Sequence, residues 1–459
     1  MQFHLTIGPG DTAASAALES KDLPLRREGD GDVSYILLGQ VYELRFSSLA
    51  GLAAELRGDQ TYPAGRFLLV EINRTSNTVS FWLDKYRLMT PMIFAKESGI
   101  QITNQFWKLH FTKPPTIDPL AVETLKKYGA VLYPHTLVQE VTFITGAGRA
   151  SFLSPQLQMK DNALDWPTEV AHGPSPADWI EILRGSIHDL VEAFHVRGFR
   201  VSGGVDSRLI ALLLEKSAAR QMQAQVLCHP SLTPGEDRDV LGAIATARMA
   251  AMNLQVLSPP FSAYNYVGPE GRDGVCLAGL YGGEFFGGLM NHFSPWLKTE
   301  AEPGPWSDRL KQLGQRRMST ELFLSAFRST IYESVRHSWA NPWCLHVFSV
   351  SPFTEQKFLD ALLATPSSEF ESYRLYAQVF NLVAGANAAE PLTSPIVHLR
   401  EGFQAHREGR EPKAMPWPMD PTIPSEGGLN QRNLAEFFLE NPALGGEIDQ
   451  ENRQKSDPY

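Results

Sequence analysis

The chain has 459 residues, too many for one ordinary core, so two or three domains are expected. Hydrophobic residues make up 43% and charged residues 20%, the composition of a globular protein and not of a disordered or fibrous one. A net charge of −10 argues against a nucleic-acid surface, and no window holds the roughly 18 consecutive apolar residues that a membrane span needs. The three cysteines, Cys228, Cys276 and Cys344, stand at no metal-ligand spacing and fit a reducing compartment. Met1–Ile7 lacks a basic stretch followed by an apolar one, so it does not read as a signal peptide, and a soluble cytoplasmic protein is expected.

The first part of the chain, to about residue 150, reads mostly as strands with turns between them. Gly65–Ile72 is a strand, Asn73–Asn77 a turn cluster, and the alternating Thr78–Leu83 its hairpin partner. Pro91–Ala95 and Ile100–Thr103 form a second pair around Ser98-Gly99. A helix over Pro119–Tyr128 then ends at Gly129, a favourable residue just past a helix. From about 150 to 175 periodicity is lost among Ser154-Pro155, Trp166-Pro167 and Gly173-Pro174, which reads as a linker. Ser175 before Pro176 predicts a helix start, and that helix runs to about Phe194.

Beyond it the pattern becomes strand, loop, helix, repeated. Strands are predicted at Phe199–Val201, Gln223–Cys228, Leu254–Leu257 and Val275–Ala278, with helices at Ser207–Ser217, Asp237–Ala251 and Thr320–Ser338. This alternation predicts an α/β fold with a doubly wound parallel sheet, in which ligands sit beyond the carboxyl ends of the strands. The last ~120 residues read as helices separated by prolines, and residues 443–459 as a polar, frayed tail.

One junction carries chemistry. Ser202-Gly203-Gly204-Val205-Asp206-Ser207 lies where the first of those strands ends and a helix begins. Two glycines permit a tight bend and close approach to a ligand. The amides from Gly203 to Ser207 and the helix dipole suit an anion. Ser202 and Ser207 offer hydroxyls to it, and Asp206 offers a carboxylate to a Mg2+ riding on it. The Walker A pattern is excluded, because Asp-Ser follows the glycines where Lys-Ser/Thr is needed.

This loop resembles the pyrophosphate loop of the N-type ATP pyrophosphatases. With a β-rich first part and a linker before it, the chain is similar to the asparagine synthetase family, which includes β-lactam synthetases and lasso-peptide cyclases. The similarity spans residues ~60–395. Leu83–Phe94 resembles the family's Asp-Arg-x-Gly-x-x-Pro-Leu-Tyr-Tyr segment, and Tyr128-Gly129 with Thr136-Leu137 and Val141 its helix-to-strand passage. Asp239–Ala245 resembles the helix after the second strand, and Gly279–Gly288 the Gly-x-Gly-x-Asp-Glu-x-x-Gly-Gly segment. Ser351–Glu355 loosely resembles its Arg-x-Pro-Phe-Leu-Asp step. The resemblance implies an Ntn-hydrolase-like β-rich sandwich at 1–155, a linker at 156–175, an adenine-nucleotide α-hydrolase-like ATP-pyrophosphatase domain with helical additions at 176–440, and a tail at 441–459.

What the resemblance implies about activity is an ATP-dependent, AMP-forming carbon–nitrogen ligase. A small-molecule or peptide carboxylate becomes an acyl-adenylate, pyrophosphate leaves, and ammonia or an amine takes the acyl group. ATP and Mg2+ are the implied cofactors. Ser202, Gly203, Gly204, Asp206 and Ser207 would hold the phosphates; Val201 and Gly279 would contact adenine and ribose; Leu227 or Cys228 would line the adenine slot. Arg208 either helps to hold pyrophosphate or is an exposed helix arginine. The basic group of the second half-reaction falls on Arg374 or Lys413, each also readable as a solvated surface charge.

Two departures bear on this. Glutamine-using members carry a cysteine directly after the initiator methionine, as nucleophile. Here the residue is Gln2, so the first domain reads as a degenerate glutamine amidotransferase, kept for packing or substrate docking. Gly283 stands where the family has a metal-binding aspartate, and Glu284 beside it either takes over as Mg2+ ligand or pairs locally. A ring-closing synthetase of a biosynthetic cluster and a non-catalytic nucleotide-binding protein are the alternatives. His188 and His195, seven apart, make a poor metal pair; Phe323, Phe327, Trp339 and Trp343 read as helix packing. No nucleic-acid or membrane partner is expected, and a homodimer is left open.

Overall fold

The computed structural model describes residues 2–21, 23–29, 31–42, 46–58, 63–86, 88–89, 91–96, 98–104, 108–119, 121–122, 135–144, 146–153, 157–160, 172–228, 232–257, 275–279, 282, 285–286, 349–366, 369, 374–385, 408 and 410. They fall into two compact units. Described residues of Met1–Leu164 form the first, and those of Asp165–Leu310 and Ser334–Pro421 the second.

The first unit is built from antiparallel strands. In chain order they are β1 (Gln2–Ile7), β2 (Ala17–Lys21), β3 (Leu25–Glu28), β4 (Val33–Val41), β5 (Gly65–Asn73), β6 (Thr78–Leu83), β7 (Met92–Lys96), β8 (Gly99–Thr103), β9 (Thr142–Phe143), β10 (Ala147–Ser151) and β11 (Leu157–Lys160). One sheet has the order β2-β1-β8-β7-β9, the other β11-β10-β6-β5-β4-β3. Both expected hairpins are present. In the first, Asn73 opposes Thr78 and Asn77 takes a left-handed φ of 51°. In the second, Lys96 opposes Gly99. A helix, α1 (Leu49–Arg57), turns Leu49, Leu52, Ala53 and Leu56 onto Leu37, Phe67, Leu69 and Trp82. Nine residues are too few for a stable isolated helix, so this apolar stripe is what holds it.

Two expectations change here. Residues 157–160 were expected in the linker, yet they form β11, paired with β10. The breakers Ser154-Pro155 hide a short alternation, Leu157-x-Met159, that suffices for an edge strand. Of the helix expected over Pro119–Tyr128, residues 119, 121 and 122 are helical, and the remainder lies outside the described residues.

The second unit begins with α2 (Pro176–Phe194). Ser175 and Asp178 form a reciprocal capping box at its start, with Pro176 in its first turn, as the sequence predicts. There follow β12 (Gly198–Arg200), α3 (Val205–Leu213), α4 (Lys216–Gln221), β13 (Gln223–Leu227), α5 (Arg238–Ala250), β14 (Asn253–Leu257), β15 (Cys276–Ala278), β16 (Ser349–Val350), a 3-10 turn at Pro352–Thr354, α6 (Gln356–Ala364) and α7 (Arg374–Ala384). The five strands are all parallel, in the order β14-β13-β12-β15-β16. Strand order therefore runs outward from β12 on both sides. The single helix expected over Ser207–Ser217 is two. It starts earlier, at Val205, and breaks at Leu214, whose ψ of 138° leaves the helical region without a Gly or Pro to announce it. Among the described residues, two non-glycines end helices in the left-handed conformation: His195 after α2 (φ 49°) and Ala251 after α5 (φ 54°). Phe286 packs with Trp179, Phe353 and Phe358 in edge-to-face contacts at 5.1, 6.2 and 5.3 Å between ring centres. The helix expected at Thr320–Ser338, its aromatic residues with Trp339 and Trp343, Lys413 and the tail lie outside the described residues.

Candidate functional site

The bend at 201–204 follows β12, the strand where the order reverses. In open parallel sheets, loops leaving the strands on either side of such a reversal diverge and open a crevice. The two loops that flank it here are the one after β12 and the one after β15, which begins at Gly279.

The bend is tied by its own hydroxyls. Ser207 Oγ accepts from Ser202 N at 3.1 Å, Ser202 Oγ accepts from Gly204 N at 3.1 Å, and the two Oγ atoms lie 3.1 Å apart. Gly204 caps α3 with no side-chain hydrogen bond to its first amides. Amides in a helix's first turn have no carbonyl one turn back within the helix. Ser202, Gly204 and Asp206 are half-buried while Gly203, Val205 and Ser207 are buried, so the bend presents alternate residues outward. Both sides are pressed by glycines. A Cβ on Gly242 of α5 would come within 2.5 Å of Gly203 Cα, and one on Gly279 within 2.5 Å of Ser207 N. Neither position admits a larger residue without moving the bend.

Asp206 lies in the first turn of α3. The Tyr376 hydroxyl of α7 donates to its Oδ1. A Cβ on Gly282 would sit 2.7 Å from the same Oδ1. Among the described residues no group of three or more His, Cys, Asp or Glu side chains gathers to hold a metal. Mg2+ does not need one: it commonly takes one or two carboxylates and completes its shell with phosphate oxygens and water. Asp206, half-buried in the first turn of a helix, fits that habit. Glu284 and Gly283 lie outside the described residues, as do the residues between Phe286 and β16.

The other expected residues distribute as follows. Val201 is buried and continues β12, its amide bonded to Gln225 O at 3.0 Å. Leu227 ends β13, half-buried, and Cys228 is fully buried, with its amide on Leu257 O at 2.8 Å and its thiol on Leu232 O at 3.4 Å. Burial pushes the Cys276 thiol of β15 above its ordinary pKa, against a lesser opposing pull from Arg200, so it stays protonated. Arg374 is exposed in the first turn of α7; the contact from this helix to the Asp206 carboxylate comes from Tyr376.

Arg208 corrects both of its expected roles as an exposed or pyrophosphate-facing residue. It is fully buried, and its guanidinium donates to Thr246 Oγ1 at 3.0 Å and Gly242 O at 3.3 Å on α5. It fastens the helix behind the bend to its neighbour, as a buried arginine must find partners for its fixed fork of donors. His188 and His195 are exposed on and after α2.

Sequence reasoning missed Tyr376, Gly242 and Gly282. The stripe Leu375, Tyr376, Val379, Phe380 signals a buried helix face, but nothing local says that its one polar tip meets a residue 170 positions away.

Compared with family models and with curated proteins, the chain matches none.

Proposed function

We propose that this chain is an ATP-dependent carbon–nitrogen ligase of the asparagine synthetase type, without a glutaminase of its own. It would activate a carboxylate by adenylyl transfer, release pyrophosphate, and pass the acyl group to ammonia or an amine. The observation that carries the reading is the strand–bend–helix unit at Val201–Ser207, set at the reversal of a parallel sheet with a glycine at its helix cap and an Asp–Ser pair in its first turn. The antiparallel first unit and the parallel second unit agree with an Ntn-hydrolase-like and an α-hydrolase-like domain, in that order.

The chemistry asks the protein mainly to position groups and absorb charge. As the substrate carboxylate attacks the α-phosphorus, negative charge builds on the departing pyrophosphate. The amides of Val205, Asp206 and Ser207, with the α3 dipole behind them, receive it. The Ser202 and Ser207 hydroxyls, whose Oγ atoms lie 3.1 Å apart, rotate their protons onto it while Ser207 Oγ keeps the Ser202 amide. Mg2+, held by Asp206 and the phosphates, would neutralise further charge on the leaving group. Val201, Leu227 and Cys228 supply an apolar wall for the base, and Gly279 lets the nucleotide and the bend come close.

The test is ATP–pyrophosphate exchange with a panel of carboxylic acids. Exchange that depends on one acid supports the ligase; a ring-closing substrate would show the same exchange with an acid that carries its own amine. Gly283, in place of the family's aspartate, favours a second reading, a nucleotide-binding protein without catalysis. ATP binding by calorimetry with no exchange across the panel decides for that reading.

A further inference from the structure

We infer that Tyr376 is a positioning residue for the cation-binding carboxylate: it fixes Asp206 so that the bend is preset for a divalent cation on a phosphate ligand. This rests on the nucleotide-binding reading of the bend.

Three constraints meet at Asp206. Its backbone belongs to the first turn of α3. The Tyr376 hydroxyl donates to Oδ1. The backbone at Gly282 lies against the carboxylate, where a Cβ would be 2.7 Å from both Cγ and Oδ1. Tyr376 is itself closely packed. It is fully buried, and its ring stacks on Phe286 at 4.7 Å with an interplanar angle of 1°. Phe286 in turn is held edge-on by Trp179, Phe353 and Phe358. A ring flip leaves a phenol oxygen in place, so the hydroxyl has one address. A carboxylate gripped in this way meets a cation without first being ordered. Groups that orient a metal's ligands typically change metal affinity by 10–100-fold when removed. The competing account is that a buried phenol simply takes the nearest acceptor; that account predicts a change in stability and none in cation requirement.

The experiment is calorimetric titration of ATP into the full chain at a series of Mg2+ concentrations, for the wild type, Tyr376→Phe and Gly282→Ala. Tyr376→Phe keeps the ring and its stack, and thermal melting checks that the fold is kept. The expected result is that Tyr376→Phe requires about 10-fold more Mg2+ for half-maximal ATP binding, with ATP affinity in the absence of Mg2+ equal to wild type. Gly282→Ala, which puts a methyl 2.7 Å from the carboxylate and 2.8 Å from Phe353 Cε2, gives a rise in the same direction and serves if the tyrosine variant does not fold. In an Asp206→Asn background, Tyr376→Phe has no further effect on the Mg2+ requirement. Wild-type binding that depends on Mg2+, with an unchanged requirement in the folded Tyr376→Phe variant, overturns the role of Tyr376 alone. A wild type that binds no ATP at any Mg2+ concentration overturns the nucleotide reading and this inference with it.

Discussion

In the first unit Gly39 adopts a φ of 91°, and a Cβ there would overlap the Arg66 carbonyl oxygen across the β4–β5 pair. In the second unit Gly242 and Gly279 have no left-handed φ, yet a Cβ on either would strike the bend backbone at 2.5 Å. The first glycine serves the shape of its own strand; the other two serve the closeness of something else. Polar side chains divide in the same way. In the first unit Thr136 Oγ1 bonds the carbonyls of Val138 and Val141, and Ser34 Oγ accepts from Ala13 N, so these hydroxyls are spent on holding loops. In the second, the hydroxyls of Ser202 and Ser207 bond within a bend that still presents half-buried residues to its surroundings. In the first unit these hydroxyls close loops, whereas in the second they lie in the bend to which the proposed function assigns a ligand.

The sharpest way to break this contrast is Ser207→Ala. If the bend only joins a strand to a helix, pyrophosphate exchange survives. If its hydroxyl receives the leaving group, exchange falls by about 10^2 to 10^3-fold in a protein that still folds, with a melting temperature lowered by the loss of the Ser202 amide bond.

Next is a test of the first unit. Burial lowers the pKa of His4 from its ordinary 6.5 to about 4; Glu19 opposes the shift, while His110 and Lys108 add to it. Its Nδ1 is buried without a hydrogen-bond partner, and its Nε2 lies 3.1 Å from Thr6 Oγ1 in β1. The folded state thus binds this proton less well than the unfolded one. Stability from this site is fully present above about pH 6.5 and is lost as pH falls through about 4, by roughly 3 kcal/mol at most. Urea unfolding across that window should show it, and His4→Gln should flatten the slope. A steep slope that survives the substitution removes His4 as its origin.

A smaller effect sharpens the glycine comparison. Gly279→Ala forces a methyl onto the Ser207 amide, and overpacking of this kind costs about 1–3 kcal/mol. Exchange should fall with it if the turn receives the leaving group as proposed, because the displaced atom belongs to that turn. A substitution tolerated in both stability and exchange shows that the bend has room to yield.

How legible this was in the sequence depends on the range of the cause. The hairpin from Gly65 to Leu83, the Ser175–Pro176 helix start and the strand preceding Ser202 follow from neighbours in the chain, through alternation, turn residues and capping. The break at Leu214 leaves no such mark, because a buried leucine suits a helix and an extended residue equally. Arg208 misleads because arginine is ordinarily exposed, and only the arrival of Gly242 and Thr246 from another helix makes an interior place for it. Tyr376 and Gly282 meet Asp206 through tertiary packing alone. A pattern of two glycines, two hydroxyls and a carboxylate reveals a bend; it is silent on what leans against it.

The two helix ends at His195 and Ala251 bear on how such variants can be studied. A β-carbon in the left-handed region crowds the next carbonyl, and glycine does not. Ala251 terminates α5, the helix that carries Gly242 and Thr246 behind the bend, and its amide already bonds the carbonyls of Ala247 and Arg248. Ala251→Gly should therefore relieve local crowding without touching any group assigned to ligands, raising stability by about 0.5–1 kcal/mol after the looser unfolded chain is allowed for. Thermal melting would register that as a rise of a few degrees, and the relieved chain would be a sturdier parent in which weakened bend variants remain folded long enough to assay.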